Sequence, residues 1–282
     1  MNHRPMNHRP MNHRPMNHRP TKRRSSRLLS RRQLLTAGVA TAGSVLLAGC
    51  DDIAGGPPFR AALDFGEMLS LRLQRLLLAR QPLVREYAPA LISQDFPPNG
   101  TEMPSGFAYF ELMISQFARW RLTVDGLVDN PLSLSLAELK AMPARTQITQ
   151  HNCDEGWTAI GQWTGVPLAQ VLRQAGLKPE ARYIVFHCLD EMVRSPDRSG
   201  FYYESIDLFD AFHPQTILAY EMNGSALPVR HGAPLRLRVE RHVGYKHAKF
   251  ITRIEAVERL DRIGRGKGGF WEDRGYQWYG GI

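Results

Sequence analysis

Two stretches of the sequence carry residue types suited to chemistry. The first is HNCDEGW, residues 151–157, which sets Cys153 two positions after His151 in a chain with three cysteines. A cysteine here is open to four readings: a packed core residue, a disulfide partner for Cys188, a nucleophile or a metal ligand. A nucleophile needs a base to hold it as thiolate, and on a strand His151 would share its face. Zinc normally takes a second close pair of Cys or His, which is missing, so a metal at Cys153 would be held mainly by something other than the protein. The second stretch is RHGAPLRLRVERHVGYKHAKF, residues 230–250, where nine basic side chains stand among glycines. Guanidinium, ammonium and backbone N–H groups so crowded suit a phosphate-bearing ligand. The competing reading is a solvated face, because Arg236 and Arg238 alternate with leucine.

The elements that must position these residues are short. RTQITQHN, residues 145–152, favours a strand that leads straight into Cys153. SLAELKAM begins with Ser135 and Glu138 three apart, the spacing of a capping box, and predicts a helix. PLAQVLRQAGL predicts a second helix closed by Gly176, and RYIVFHC a buried strand ending at Cys188. RWRLTVDGLV, TILAYEMNG, PLRLRVE and KFITRIEAVERL read as further strands between Pro and Gly loops. Between Leu63 and Ala88, Leu69, Leu73, Leu76 and Leu77 recur at helical spacing, predicting a helix packed on the main domain, with a membrane-surface helix as the alternative, while 95–106 reads as an irregular loop. With no repeat and no strict strand and helix alternation, the class is a mixed α+β domain over residues 95–282.

Charge is distributed unevenly. The net charge is +9, but ten of the 36 Lys and Arg precede residue 33, leaving 26 against 27 Asp and Glu. The body is thus near neutral, and nucleic acid is not the expected partner. Four copies of MNHRP open the chain and carry no functional information. Next, Arg31 and Arg32 precede an uncharged stretch ending in LAGC at Cys50, too short and weakly apolar for a comfortable membrane span. SRRQLL resembles a twin-arginine export signal and LAGC a lipobox. The expectation is a leader over 1–49, lipidation at Cys50, a tether and helix over 50–94, and a lipid-anchored protein at the periplasmic face of the inner membrane.

The order of strand, Cys153, EGW, WTGVPLAQVL, LAYEMNGSALPVRHGAPLRLRV, GYKHAKFITRIEAV and WEDRGY resembles the sulfite-oxidase fold of molybdopterin-dependent oxidoreductases. This resemblance spans about residues 95–282. It implies mixed β-sheets with peripheral helices and a molybdenum-molybdopterin cofactor, the metal taking its one protein ligand from Cys153. It also implies that the pterin and its phosphate are held by His231 and Arg236, by Lys246, and by His247, Ala248 and Lys249. Cys188 falls where relatives place a small polar cofactor contact, and Asn99 in PPNG falls at another pterin contact.

CDEGW is closer to the CVEAW of periplasmic methionine-sulfoxide reductases than to the AGNRR of sulfite oxidases, whereas His231 is more like the oxidases. The resemblance implies oxygen-atom transfer to or from a sulfur or S-oxide substrate, after export by the twin-arginine translocon. No C-x-x-C-H haem site occurs, so a separate haem or cytochrome protein is the expected electron partner. Arg194 and Arg198 are candidates for an anion pocket, and Tyr202 or Tyr203 for facing the metal. Two other classes stay open: a cofactor-free lipoprotein binding module, and a thiol-dependent enzyme using Cys153 with His151.

Overall fold

The computed structural model describes residues 57–77, 82–195 and 200–282; Arg31, Arg32, Cys50 and Arg198 lie outside them. Backbone contacts divide the chain into Met1–Leu63 and Asp64–Ile282. In order, the elements are α1 (Pro57–Leu77), α2 (Phe107–Ile114), β1 (Arg121–Gly126), β2 (Leu132–Ser135), α3 (Leu136–Ala141), β3 (Arg145–Asn152), β4 (Thr158–Pro167), α4 (Leu168–Ala175), β5 (Tyr183–Glu191), β6 (Phe201–Asp207), α5 (Leu208–Ala211), β7 (Ile217–Met222), β8 (Ser225–Ala226), β9 (Arg236–Arg238) and β10 (Ile251–Val257).

Two sheets form the mixed α+β architecture. One runs β2-β1-β10-β5-β6, and the other β3-β4-β7-β8 with β9 also pairing β7. All pairings are antiparallel except β1 with β10. Strand alternation directs Leu122, Val124, Ile184, Phe186, Ile254, Leu218 and Leu237 into one main core, which α4 closes with Leu168, Val171 and Leu172. A smaller cluster of Phe96, Trp163, Ile217, Ala219 and Met222 forms on a different side of the second sheet.

Local signals were obeyed where they are strong. β3 occupies the expected 145–152. Ser135 caps α3, with its side chain accepting from Glu138 N–H while Glu138 accepts from Ser135 N–H. α4 ends at Gly176, whose φ is 69°. The N-terminal helix is a correction in two respects. It covers Pro57–Leu77, and over residues 82–88 the chain runs without helix, tied at Tyr87 N–H to the Ile148 carbonyl. It also meets the domain with its polar face: Arg75 pairs with Asp207 and Asp210, while Leu69, Leu73, Leu76 and Leu77 are exposed.

Candidate active site

β3 approaches the site with a polar inner face, since its alternate buried residues are Gln147, Thr149 and His151. Cys153 follows in a tight turn held by its own backbone. Cys153 N–H donates to the Trp157 carbonyl (2.9 Å) and Gly156 N–H to the Cys153 carbonyl (3.1 Å). Gly156 sits at φ 94°, which a side chain would strain. The thiol itself is half-buried, with only Asp154 Oδ1 at 3.8 Å as partner. Burial pushes it up to about 12.

Against Cys153 lies Gly244, in the 3-10 turn Gly244–Lys246. A methyl group at Gly244 would stand 3.1 Å from Cys153 Sγ and 3.1 Å from His151 Nε2, so any side chain there would press on both residues. His151 is fully buried, and burial followed by the charge of Arg238 lowers it well below its usual range. Its Nδ1 lies 3.0 Å from Arg238 Nη1, and since a guanidinium only donates, Nδ1 accepts and Nε2 carries the proton. A neutral imidazole beside a protonated thiol is not the ion pair of a thiol-dependent enzyme, and that reading is corrected. Cys153 and Cys188 are both free, which also removes the disulfide.

The solvated-face reading of PLRLRV fails too, because Arg236, Leu237 and Arg238 are all fully buried. Both guanidinium groups stack on Trp163, at 4.9 and 4.5 Å from its ring centre. Arg238 is neutralised by Glu240 through two hydrogen bonds, 3.0 and 2.6 Å. Arg236 has no such partner. One nitrogen donates to the His231 carbonyl (3.0 Å), while Nε and Nη2 have no hydrogen-bond partner. His231 Nδ1, His151 Nε2 and Asn99 Oδ1 are buried and unpartnered as well. Phe96 sets this arrangement, its ring packing against His151 at 5.7 Å, His231 at 5.6 Å and Trp163 at 5.4 Å.

Beside the cysteine turn lies a cleft of about 230 Å³ whose lining includes Asn99, Asp154, Glu155, Asp190, His247 and Lys249, while Cys153, His231 and Arg236 are not among its lining residues. Asn99 Nδ2 donates to the Gly244 carbonyl (3.3 Å), and Glu155 takes Gly100 N–H (3.1 Å) and Trp157 Nε1–H (3.0 Å), tying the 95–106 loop to the cysteine turn. Lys249 donates to the carbonyls of Thr101 and Arg230. Asp190, buried with Oδ1 unpartnered, was not expected from the sequence, although an acid at the end of an apolar strand is a visible anomaly. Burial raises the Asp190 carboxyl and, with the charge of Arg236, lowers the Lys249 ammonium.

The structure therefore brings Asn99, Cys153, His231, Arg236, His247 and Lys249 together. Cys188 and Ala248 lie in the main core and do not line the cleft. Lys246 is a correction: its ammonium bonds Glu204 (2.5 Å) and Glu272 (2.7 Å) inside the fold, where those carboxylates, against the effect of burial, hold it above its usual value. Replacing Lys246 by Met strands two buried carboxylates and should lower the unfolding free energy by about 3–5 kcal/mol, with partial recovery when Glu204→Gln is added. Urea titration of the three proteins checks this. Tyr202 lines the cleft but donates its hydroxyl to the Tyr245 carbonyl, and Tyr203, on the other strand face, donates to Asp273. Arg194 is exposed and outside the cleft.

Does the site fit a phosphate-bearing cofactor with a thiolate-bound metal? A fully buried guanidinium with two unsatisfied N–H groups and no carboxylate is costly unless an anion completes it. Among the described residues no three His, Cys, Asp or Glu stand together to hold a metal, so the protein offers Cys153 alone. Both features fit such a group.

Comparison with known proteins bears on the same segment. The oxidoreductase molybdopterin binding domain matches residues 110–262. The putative protein-methionine-sulfoxide reductase subunit YedZ1 of Azospira oryzae is 36% identical, covering 85% of this chain and 83% of its own length. The protein-methionine-sulfoxide reductase catalytic subunits MsrP of Xanthomonas campestris and Ralstonia nicotianae are 38% and 36% identical over half of this chain, which covers 46% and 44% of theirs. The sulfane dehydrogenase SoxCD of Paracoccus pantotrophus is 24% identical with a TM-score of 0.44, covering 50% of this chain and 39% of the other. The family match takes in the cysteine turn, β5 and the whole basic segment, and with YedZ1 alike along most of both lengths, the chain belongs to the molybdopterin-binding oxidoreductases.

Proposed function

We propose that this protein holds a molybdenum-molybdopterin cofactor in the cleft beyond β3 and reduces S-oxides, with methionine sulfoxide the first to try. The observation that carries the reading is Arg236, whose unsatisfied Nε and Nη2 call for an oxyanion that no described residue supplies. Arg236, Lys249 and His231 would hold the pterin phosphate and ring, His247 and Asn99 would contact the pterin, and Cys153 would be the metal's protein ligand. Bound there, the cofactor supplies two-electron oxygen-atom chemistry at molybdenum.

The chain's own residues prepare that chemistry. His151 carries its proton on Nε2, buried and unpartnered, so the site keeps one free N–H near the cysteine turn. Arg238 fixes that tautomer and Glu240 fixes Arg238. Reducing an S-oxide to a sulfide and water consumes two protons, and Asp190 is placed to hold one at Oδ1. The carboxylates of Asp154 and Glu155 also favour a neutral S-oxide over the sulfite dianion, which they would repel. The names of the YedZ1 and MsrP relatives support the same substrate class.

The sequence signals add a cellular setting. The protein would be exported by the twin-arginine translocon, be lipidated at Cys50 and stand at the periplasmic face of the inner membrane, exchanging electrons with a separate haem protein. Protein made with its signal in a host that synthesises the cofactor should contain about one molybdenum per chain, as Cys153 offers one ligand. It should oxidise reduced viologen with methionine sulfoxide. A folded product without molybdenum, or turnover of sulfite but not of S-oxides, would refute the proposal.

A further inference from the structure

From Asp64 onward, helix α1 is turned inside out. At 100° per residue Phe65, Leu69, Leu73 and Leu76 fall within about 80° of one another, with Leu77 at their margin. These five are 53–74% exposed. Gln74 and Arg75, on another face, are the residues that dock. Arg75 donates to Asp207 (2.8 Å) and to Asp210, and lies over the rings of Phe209 at 4.3 Å and Tyr279 at 5.0 Å. Gln74 accepts from the Tyr279 hydroxyl at 2.7 Å. Asp210 is itself buried and is bonded by Arg241 and by His242, the latter at 2.9 Å. Rolling the helix to bury its leucines would break this set, so the apolar face is held outward.

An outward row of leucines needs a covering. Three features select a lipid surface. Cys50, in its lipobox, precedes Pro57 by seven residues, a span of at most about 25 Å, which keeps the helix close to any acyl chain placed there. Arg72 is exposed beside the stripe, where a guanidinium meets lipid phosphate. No described helix is long and apolar enough to cross a membrane, whereas α1 has the two-faced pattern of one that lies in the interface.

We propose that the Leu69, Leu73, Leu76 and Leu77 face of α1 inserts into the headgroup region of an anionic bilayer as a second membrane contact beside the lipid on Cys50. Its location rests on the lipid-anchor reading above; its affinity does not. The two are separated by a Cys50→Ser protein, which carries no acyl chain, tested by flotation with vesicles of phosphatidylethanolamine and phosphatidylglycerol. That protein should still float in part. Adding Leu69→Gln, Leu73→Gln and Leu76→Gln should reduce the bound fraction at least about tenfold, with viologen-driven turnover unchanged. The proposal is overturned if Cys50→Ser protein stays with the unbound fraction, or if the Gln substitutions leave flotation unaltered. It is equally overturned if light scattering shows that these leucines instead bury themselves in a dimer. Absence of an acyl group on Cys50 by mass spectrometry would sink the anchor and leave the helix result standing.

Discussion

Serine in place of Cys153 should lower turnover of methionine sulfoxide on the order of a thousandfold or more, while the folded domain and its cofactor content persist. The split between activity and structure follows from how the cysteine is held. Its position depends on backbone hydrogen bonds through Trp157 and Gly156, and the thiol adds only a distant contact to Asp154. A hydroxyl of similar size leaves the turn as it is, and the proposed phosphate donors Arg236 and Lys249 are untouched. Only the ligand atom changes, from a soft polarisable sulfur to a hard oxygen. Metal analysis and viologen oxidation on the same preparation read the two quantities. Turnover within tenfold of the wild type would exclude Cys153 as the metal's ligand.

The second large effect is expected at Arg236, and its two parts run in opposite directions. Arg236→Met removes a buried guanidinium that has two unsatisfied nitrogens and no ion-pair partner among the described residues, so the cofactor should lose about 2–5 kcal/mol of binding, and purified protein should hold little molybdenum. Yet the cofactor-free variant should unfold no more easily than the cofactor-free wild type, because a buried charge without a counter-ion is replaced by an apolar chain of similar length. The bonds given up are one to the His231 carbonyl and a share of the stacking on Trp163. An arginine with a purely structural role would do the reverse, melting the protein as Lys246→Met is expected to. Calorimetry of the two cofactor-free proteins, beside their molybdenum content as isolated, distinguishes these cases.

How far the sequence reveals this site differs from residue to residue. β3, α3 and α4 were legible because each is written in local terms: branched and polar alternation, a capping pair, a closing glycine. β4 was not, since Gly161 and Gly165 dilute its strand character; at Gly165 an added side chain would collide with the β7 backbone. α2 was hidden because FAYFELMI is apolar nearly throughout and shows no helical period. The basic segment shows the limit most clearly. Nine cations in a row of twenty-one residues announce an anion, but only long-range pairing tells them apart. Glu240 takes Arg238, Glu204 and Glu272 take Lys246, and Asp210 takes Arg241 and His242. Among the five that no carboxylate claims, Arg236 is the guanidinium that is fully buried, and its importance is defined by subtraction.

The place of β10 in the first sheet has a consequence for how the protein is made. Ile251–Val257 lies between β1 and β5, parallel to a strand some 130 residues earlier and antiparallel to one about 68 residues earlier. Until it arrives, β1 and β5 have no common neighbour, and Asp190 at the end of β5 has no Lys249 to face. Contacts so distant in sequence are closed late and slowly. On the ribosome, the nearly nine-tenths of the chain that precedes this strand can collapse but cannot complete the sheet. Capture of the proposed cofactor would then wait for the last central strand, which acts as a latch.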